Sequence, residues 1–204
     1  MGGSVSGLQS RFGHRAEVGH SGEVRTAEVL DPFCRKYGPT VLHDLAVPIA
    51  GMEINIDHIV VSADRVWIID TKSWKPGIIW TFHGRTRRGL HRFAPAETRT
   101  PEIAAKAVSG YLASHRVTHD MRTPILVIWS SSRGKPPSHI MSTRWYRPAG
   151  AVTVPGPAFA RSLHRHLGAL PSNPEIVRAL RELVLDNQTD SHPANQPFRS
   201  GRTR

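Results

Sequence analysis

Cysteine is nearly absent from this chain of 204 residues: Cys34 stands alone. A single thiol excludes an internal disulfide and a thiolate-built structural zinc site within one chain, and it fits a reducing compartment. Long apolar runs are missing as well. No stretch approaches the ~18 apolar residues of a membrane helix. The opening MGGSVSGLQSRFG has no apolar leader core, so a cytoplasmic protein without membrane contact is expected. Acidic residues are outnumbered 16 to 27 by basic ones, for a formal charge of +11. Lysine is scarce too, at positions 36, 72, 75, 106 and 135 only.

What remains is arginine, 22 residues of it. A guanidinium is a planar fork of donors suited to phosphate oxygens. One reading is an arginine-rich composition on a solvated face; the other is a polyanionic partner, most simply nucleic acid. The length suits one domain with loose ends. Residues 1–18 read as a flexible basic arm, 19–185 as the domain and 186–204 as a disordered polar tail.

Along the domain, Ser21 can cap a helix whose Ala27, Leu30, Cys34 and Tyr37 form one stripe, with Glu23 on the same inward side. Asp31-Pro32 is a point where that helix can kink or divide. Strands are expected at 40–46, 53–61, 65–72 and 78–82. Residues 83–100 and 131–150 read as loops, and Pro101 opens a further helix. The run PILVIW at 124–129 suits a strand buried on both faces. A last short strand (151–154) and helices near 157–168 and 173–185 complete the pattern. Strands flanked by helices predict an α/β sandwich around a central mixed sheet.

The unusual stretch is 54–77, INIDHIVVSADRVWIIDTKSWKPG. It reads as a buried hairpin, yet its apolar runs carry Asp57, His58, Asp70 and Lys72, and ionised groups are rarely buried without a partner. Closing the turn with an even loop places Val61 opposite Val66, Ile59 opposite Ile68 and Asp57 opposite Asp70, with Asn55 beside Lys72. Directly opposed side chains lie about 5 Å apart at Cβ, where like charges repel. Two such carboxylates suit a hard divalent cation with oxygen ligands. Lys72, on the same face as Asp70, can donate to a phosphate oxygen or orient a water. Glu23 supplies a third acid. A strand-end ion pair is the plainer account of Asp70 and Lys72, but it leaves Asp57 and Glu23 unexplained.

Other features have bland readings beside sharper ones. His58 faces away from the carboxylates and reads as a core histidine rather than a ligand. His115 and His119 have zinc spacing, but without a third placed ligand a solvated helix end is favoured. Arg85, Arg87, Arg88, His91 and Arg92 crowd the 83–100 segment and suit phosphate contacts. Trp74 and Trp80 can stack on bases or pack in the core.

Gly22-Glu23 opening a helix, then IDHIVV at 56–61 and IIDTKSW at 68–74 with Gly77 after it, resembles the nuclease-related domain (NERD) family. That family is similar in turn to the PD-(D/E)XK nuclease superfamily. The likeness covers roughly 19–168. It implies a restriction-endonuclease-like α/β/α sandwich and cleavage of DNA with Mg²⁺ or Mn²⁺. It also implies metal-binding Asp57 and Asp70, a catalytic Lys72 and an accessory acid at Glu23. Two departures stand out. Asp70 replaces the family's usual glutamate, and Ala104, after Thr100-Pro101, stands where a glutamine is usual; Lys106 is the candidate substitute and a further candidate contact to DNA. A silent nucleic-acid-binding module retaining the fold is the alternative function.

Overall fold

The computed structural model describes the backbone of residues 6–52, 54–97, 99–131 and 141–185, with side chains described from Ser21 onward. The N-terminal helix α1 (Ser6–Tyr37) leads into strands β1 (Thr40–Ala46), β2 (Asn55–Ser62) and β3 (Arg65–Trp74). Three short strands follow, β4 (Gly77–Phe82), β5 (Arg85–Arg88) and β6 (His91–Arg92), then helix α2 (Thr100–Ser114). Next come β7 (Asp120–Met121), β8 (Ile125–Ser130), β9 (Met141–Trp145) and β10 (Val152–Pro155). Helices α3 (Gly156–Arg161), α4 (Leu163–Leu167) and α5 (Pro174–Arg181) close the described chain.

The main sheet runs β1-β2-β3-β8-β10, with β7 beside the start of β3. Its first three strands are antiparallel and β3, β8 and β10 are parallel, so the sheet is mixed as predicted. One face packs Val61, Val66 and Ile68 against Ala104, Val108 and Leu112 of α2 and Ile176 and Leu180 of α5. The other packs Val60, Trp67 and Ile69 against Leu30 and Phe33 of α1, Phe159 of α3 and Leu163 and Leu167 of α4. Strand β8, between two neighbours and two layers, buries Ile125 to Ile128 as its unbroken apolar run requires. Asn173 caps α5 by accepting from the Glu175 N–H at 2.9 Å, ahead of the amphipathic Ile176–Leu180 turn.

Several expectations need correction. Helix α1 starts at Ser6, not at a cap on Ser21, because residues 6–20 contain no proline to stop it. Pro32 stays inside α1, since it removes one backbone donor without ending the helix. The segment 83–100 is not a plain loop: β5 and β6 pair with β4, and β9 joins on the other side, making a second sheet of order β6-β5-β4-β9. His83-Gly84 has positive φ at both positions (45° and 72°) and Gly89-Leu90 places a glycine at φ 59°, two-residue hairpin geometries. Gly134, Pro136 and Pro137, residues 1–5 and the tail at 186–204 lie outside the described residues.

Candidate active site

The β2–β3 turn has two residues, Ala63-Asp64, with Ser62 paired to Arg65, so the register matches expectation at Val61↔Val66 and Ile59↔Ile68. It does not continue to Asp57↔Asp70. The ladder ends at His58↔Ile69, while β2 stays with β1 as far as Asn55 and β3 follows β8 as far as Trp74. The two strands therefore part. Asp57 closes the gap: its Oδ2 accepts from the Thr71 N–H at 2.6 Å, a donor that a continued ladder would have given to the β2 backbone. Nor does β2 pair with β1 at Asp57. Pairs form at His43↔His58 and Leu45↔Ile56 on either side, and the intervening Asp44 carries φ 52°. The alternation breaks here, so Ile56 packs in the same cluster as Ile59. Asp57 thus points between the strands rather than squarely at Asp70, and Asn55 does not pair with Lys72.

Asp70 and Lys72 keep their common face. They lie between Ile68, which belongs to the core under α2 and α5, and Trp74, which belongs to the core under the second sheet. The Lys72 ammonium straddles the Asp70 carboxylate. It donates to Oδ1 at 2.9 Å and lies 2.7 Å from Oδ2 at an angle that makes no hydrogen bond, so Oδ2 is buried with a charge beside it but no hydrogen bond. Asp70 itself is only 7% exposed.

Glu23 arrives from the opposite layer. Helix α1 crosses β3 at Gly22, where a Cβ would fall on Ser73 Oγ and lie 3.1 Å from Thr71 Cγ2. Beside that contact, Thr26 Oγ1 donates to Gly22 O at 3.2 Å and accepts from Thr71 Oγ1 at 3.0 Å and Trp129 Nε1 at 2.8 Å. A fully used buried hydroxyl thus locks α1 onto β3 and β8. The acid following the contact glycine is placed within electrostatic reach of Asp57 and Lys72.

The proton affinities record the crowding. Burial, then the charge of Asp70, pushes the Asp57 carboxyl up to about 7, although Thr71 and Lys72 act the other way. Asp70 is also raised, by burial, against the opposing pull of Lys72. Burial works to lower Lys72, but Asp70, Asp57 and Glu23 outweigh it and hold the amine above its ordinary value. Lys72 is therefore a firm cation at neutral pH. The oxygen donors of Asp57 and Asp70, one of them an orphan, suit a hard cation. Among the described residues no three acidic, cysteine or histidine side chains form a ready cage; Mg²⁺ characteristically needs only one or two carboxylates and keeps several waters.

A family profile for the nuclease-related domain matches residues 18–128, more than half of the chain. The chain belongs to this family. The matched span contains Glu23, Asp57, Asp70 and Lys72. No curated protein and no solved structure matches the chain. In this NERD chain no helix among the described residues is long and apolar enough to cross a membrane.

The remaining candidates fall elsewhere. Ala104 is 3% exposed in the α2 core. Lys106, two residues on, turns to solvent and pairs with Glu102 at 3.0 Å, so it does not take the place of a polar side chain at 104. Arg85, Arg87 and Arg92 sit on the outer side of the second sheet. Arg88 packs inward over Gly77 with its guanidinium 5.0 Å from the Phe93 ring centre. Trp74 is a core residue, edge-on to Phe93 and Tyr146. His119 spends both ring nitrogens on Ser109 Oγ (2.8 Å) and Val117 O (2.9 Å), which removes the zinc reading.

His58 is buried on the α1 side and 2.8 Å from His43 (Nδ1 to Nδ1), whose Nε2 donates to Asp31 at 3.0 Å. Its own Nε2 has no hydrogen-bond partner among the described residues. Burial, then His43, depresses it to about 3. Sequence reasoning missed Tyr146. Its phenol donates to Ala96 O at 2.6 Å and is pushed up to about 12 by burial and by Asp70, so the second sheet borders the site. Nothing in its sequence context marked it.

Proposed function

We propose that this NERD chain is a metal-dependent nuclease that hydrolyses DNA phosphodiester bonds at Asp57, Asp70 and Lys72, with Glu23 as accessory acid. The observation behind this is the pair of buried carboxylates, Asp57 and Asp70, both raised by burial and held beside a protonated lysine. Such an arrangement destabilises the fold and is characteristic of functional sites. Asp57 and Asp70 would hold Mg²⁺ or Mn²⁺, which supplies Lewis-acid polarisation of a phosphoryl oxygen and a more acidic water. Lys72, protonated, donates to a phosphoryl oxygen and stabilises the charge that develops as water adds to phosphorus and the P–O bond breaks. It leaves Asp70 to do so. Glu23, approaching from α1, orients the water. The arginines of the second sheet hold flanking phosphates.

A second reading, a DNA-binding module without turnover, draws on the Lys72–Asp70 ion pair and on Ala104 lying in the core instead of presenting a polar group. One experiment separates them. The full chain is incubated with linear and supercoiled DNA in Mg²⁺, in Mn²⁺ and in EDTA. Cleavage should require metal, and Lys72→Ala should lower it roughly 100-fold or more while binding persists. Cleavage untouched by EDTA overturns the mechanism; binding without cleavage in either metal favours the silent module.

A further inference from the structure

The second sheet has two unlike faces. Ile79, Thr86 and Tyr146 turn inward, at 0%, 2% and 3% exposure. The alternate positions turn out: Ile78, Phe82 and Trp145 are 53%, 64% and 54% exposed. The register carries this outer face across all four strands. Trp80 pairs with Trp145 of β9 and with Arg87 of β5, Arg87 pairs with Arg92 of β6, and Phe82 pairs with Arg85. Directly paired residues share a face, so the aromatic side chains of β9 and β4 lie beside the arginines of β5 and β6 on one open surface. The Arg87 guanidinium lies 5.8 Å from the Trp80 ring centre and is tied to Leu90 O at 2.8 Å, while Trp80 Nε1 donates to Gly89 O at 2.9 Å. These hydrogen bonds hold the row in place. No acidic residue occurs in 77–92 or in 141–145; Glu97, beyond β6, pairs with Arg92 at 2.9 Å at the edge of this face.

We infer that this outer face is a stacking platform for single-stranded nucleic acid, on which unpaired bases lie against Trp80, Phe82 and Trp145 while arginines meet the phosphates. The inference rests on the nucleic-acid reading above and names the form of the substrate. An exposed apolar row alone would suit many partners, but one bordered by arginines suits a polyanion that also offers flat apolar faces. A duplex covers its base faces by its own stacking; a single strand leaves them open. The inner side of the same sheet carries Tyr146, which senses Asp70. The platform is thus the opposite face of the sheet that borders the carboxylates.

The test uses the full chain in EDTA, so that binding is read without cleavage. Fluorescence anisotropy compares a labelled 20-nucleotide oligothymidylate with a blunt duplex of the same length, and competition with inorganic polyphosphate supplies a polyanion without bases. The single strand should bind at least ten-fold more tightly than the duplex. Phe82→Ala and Trp145→Ala, both at exposed side chains, should each weaken single-strand binding at least five-fold and leave polyphosphate binding unchanged. Equal affinity for the two DNA forms, or undiminished single-strand binding in both variants, overturns the platform. So does a surface that instead binds anionic phosphatidylserine vesicles and loses them in Phe82→Ala. Cleavage in Mg²⁺ is scored separately. A chain that discriminates single strands but never cuts keeps the platform and loses the nuclease; one that cuts without discriminating does the reverse.

Discussion

Asp57→Asn removes one carboxylate from a place where two are buried together, and it should make the protein more stable while disabling it. A carboxyl raised from 3.8 to about 7 costs up to about 4 kcal/mol to ionise in the folded chain, at about 1.4 kcal/mol for each tenfold change in proton affinity. That is a ceiling, because the asparagine carbonyl keeps only a weaker version of the hydrogen bond from Thr71 N–H. A gain of roughly 1–3 kcal/mol at pH 8 remains. For a chain of this size it raises Tm by about 2–4 °C per kcal/mol. The sign fixes the pH window. Between 3.8 and about 7 the folded chain holds a proton that the unfolded chain has lost, so wild-type stability falls as pH rises through that range and levels off above it. The variant should therefore lead clearly at pH 8 and little at pH 5. Urea melts of both proteins at the two pH values, after EDTA treatment, measure this. Adding Mg²⁺ should then raise the wild type and narrow the gap. A variant less stable than wild type at pH 8, or an equal difference at both pH values, refutes the argument from carboxylate crowding.

Gly22→Ala should destabilise the fold by roughly 1–3 kcal/mol, although alanine is the better helix former, because the new Cβ meets Ser73 Oγ. Ser73→Ala in the same chain should restore most of the loss, and a double-mutant cycle by thermal melting reads the coupling. For His58, the folded chain binds fewer protons than the unfolded one between about 3 and 6.5, so the group destabilises progressively as pH falls below 6.5. The loss is about 1.4 kcal/mol per pH unit. Urea midpoints from pH 7 to 4 should fall less steeply in His58→Asn than in wild type; parallel curves would show that the histidine has no part in acid sensitivity.

Much of the site was written in local patterns. Period-two alternation and an even turn gave the register as far as Ile59↔Ile68, since a slip by one residue would have sent each side chain of one strand to the other layer's core. The acid-x-lysine spacing put Asp70 and Lys72 on one face, and helical spacing put Glu23 on the inner side of α1. What failed was extrapolation. A ladder continues only while both strands lack better partners, and here β1 and β8 draw β2 and β3 apart. Likewise the arginines of 83–100 read as loop because their polarity hid a hairpin whose apolar partners, Ile79 and Tyr146, lie elsewhere in the sequence.

The sequence by itself determined the class of the fold and the family, and singled out the four residues proposed for its site, because strand alternation, helix spacing and motif are properties of neighbours along the chain. Only the tertiary structure decided how those residues meet. Asp57 fills the gap where two strands part, α1 delivers Glu23 from the opposite layer through the Gly22 contact, and an arginine and aromatic sheet stands beside them. Each of these depends on which distant strands compete for a backbone edge, and that competition is settled by packing across the whole molecule.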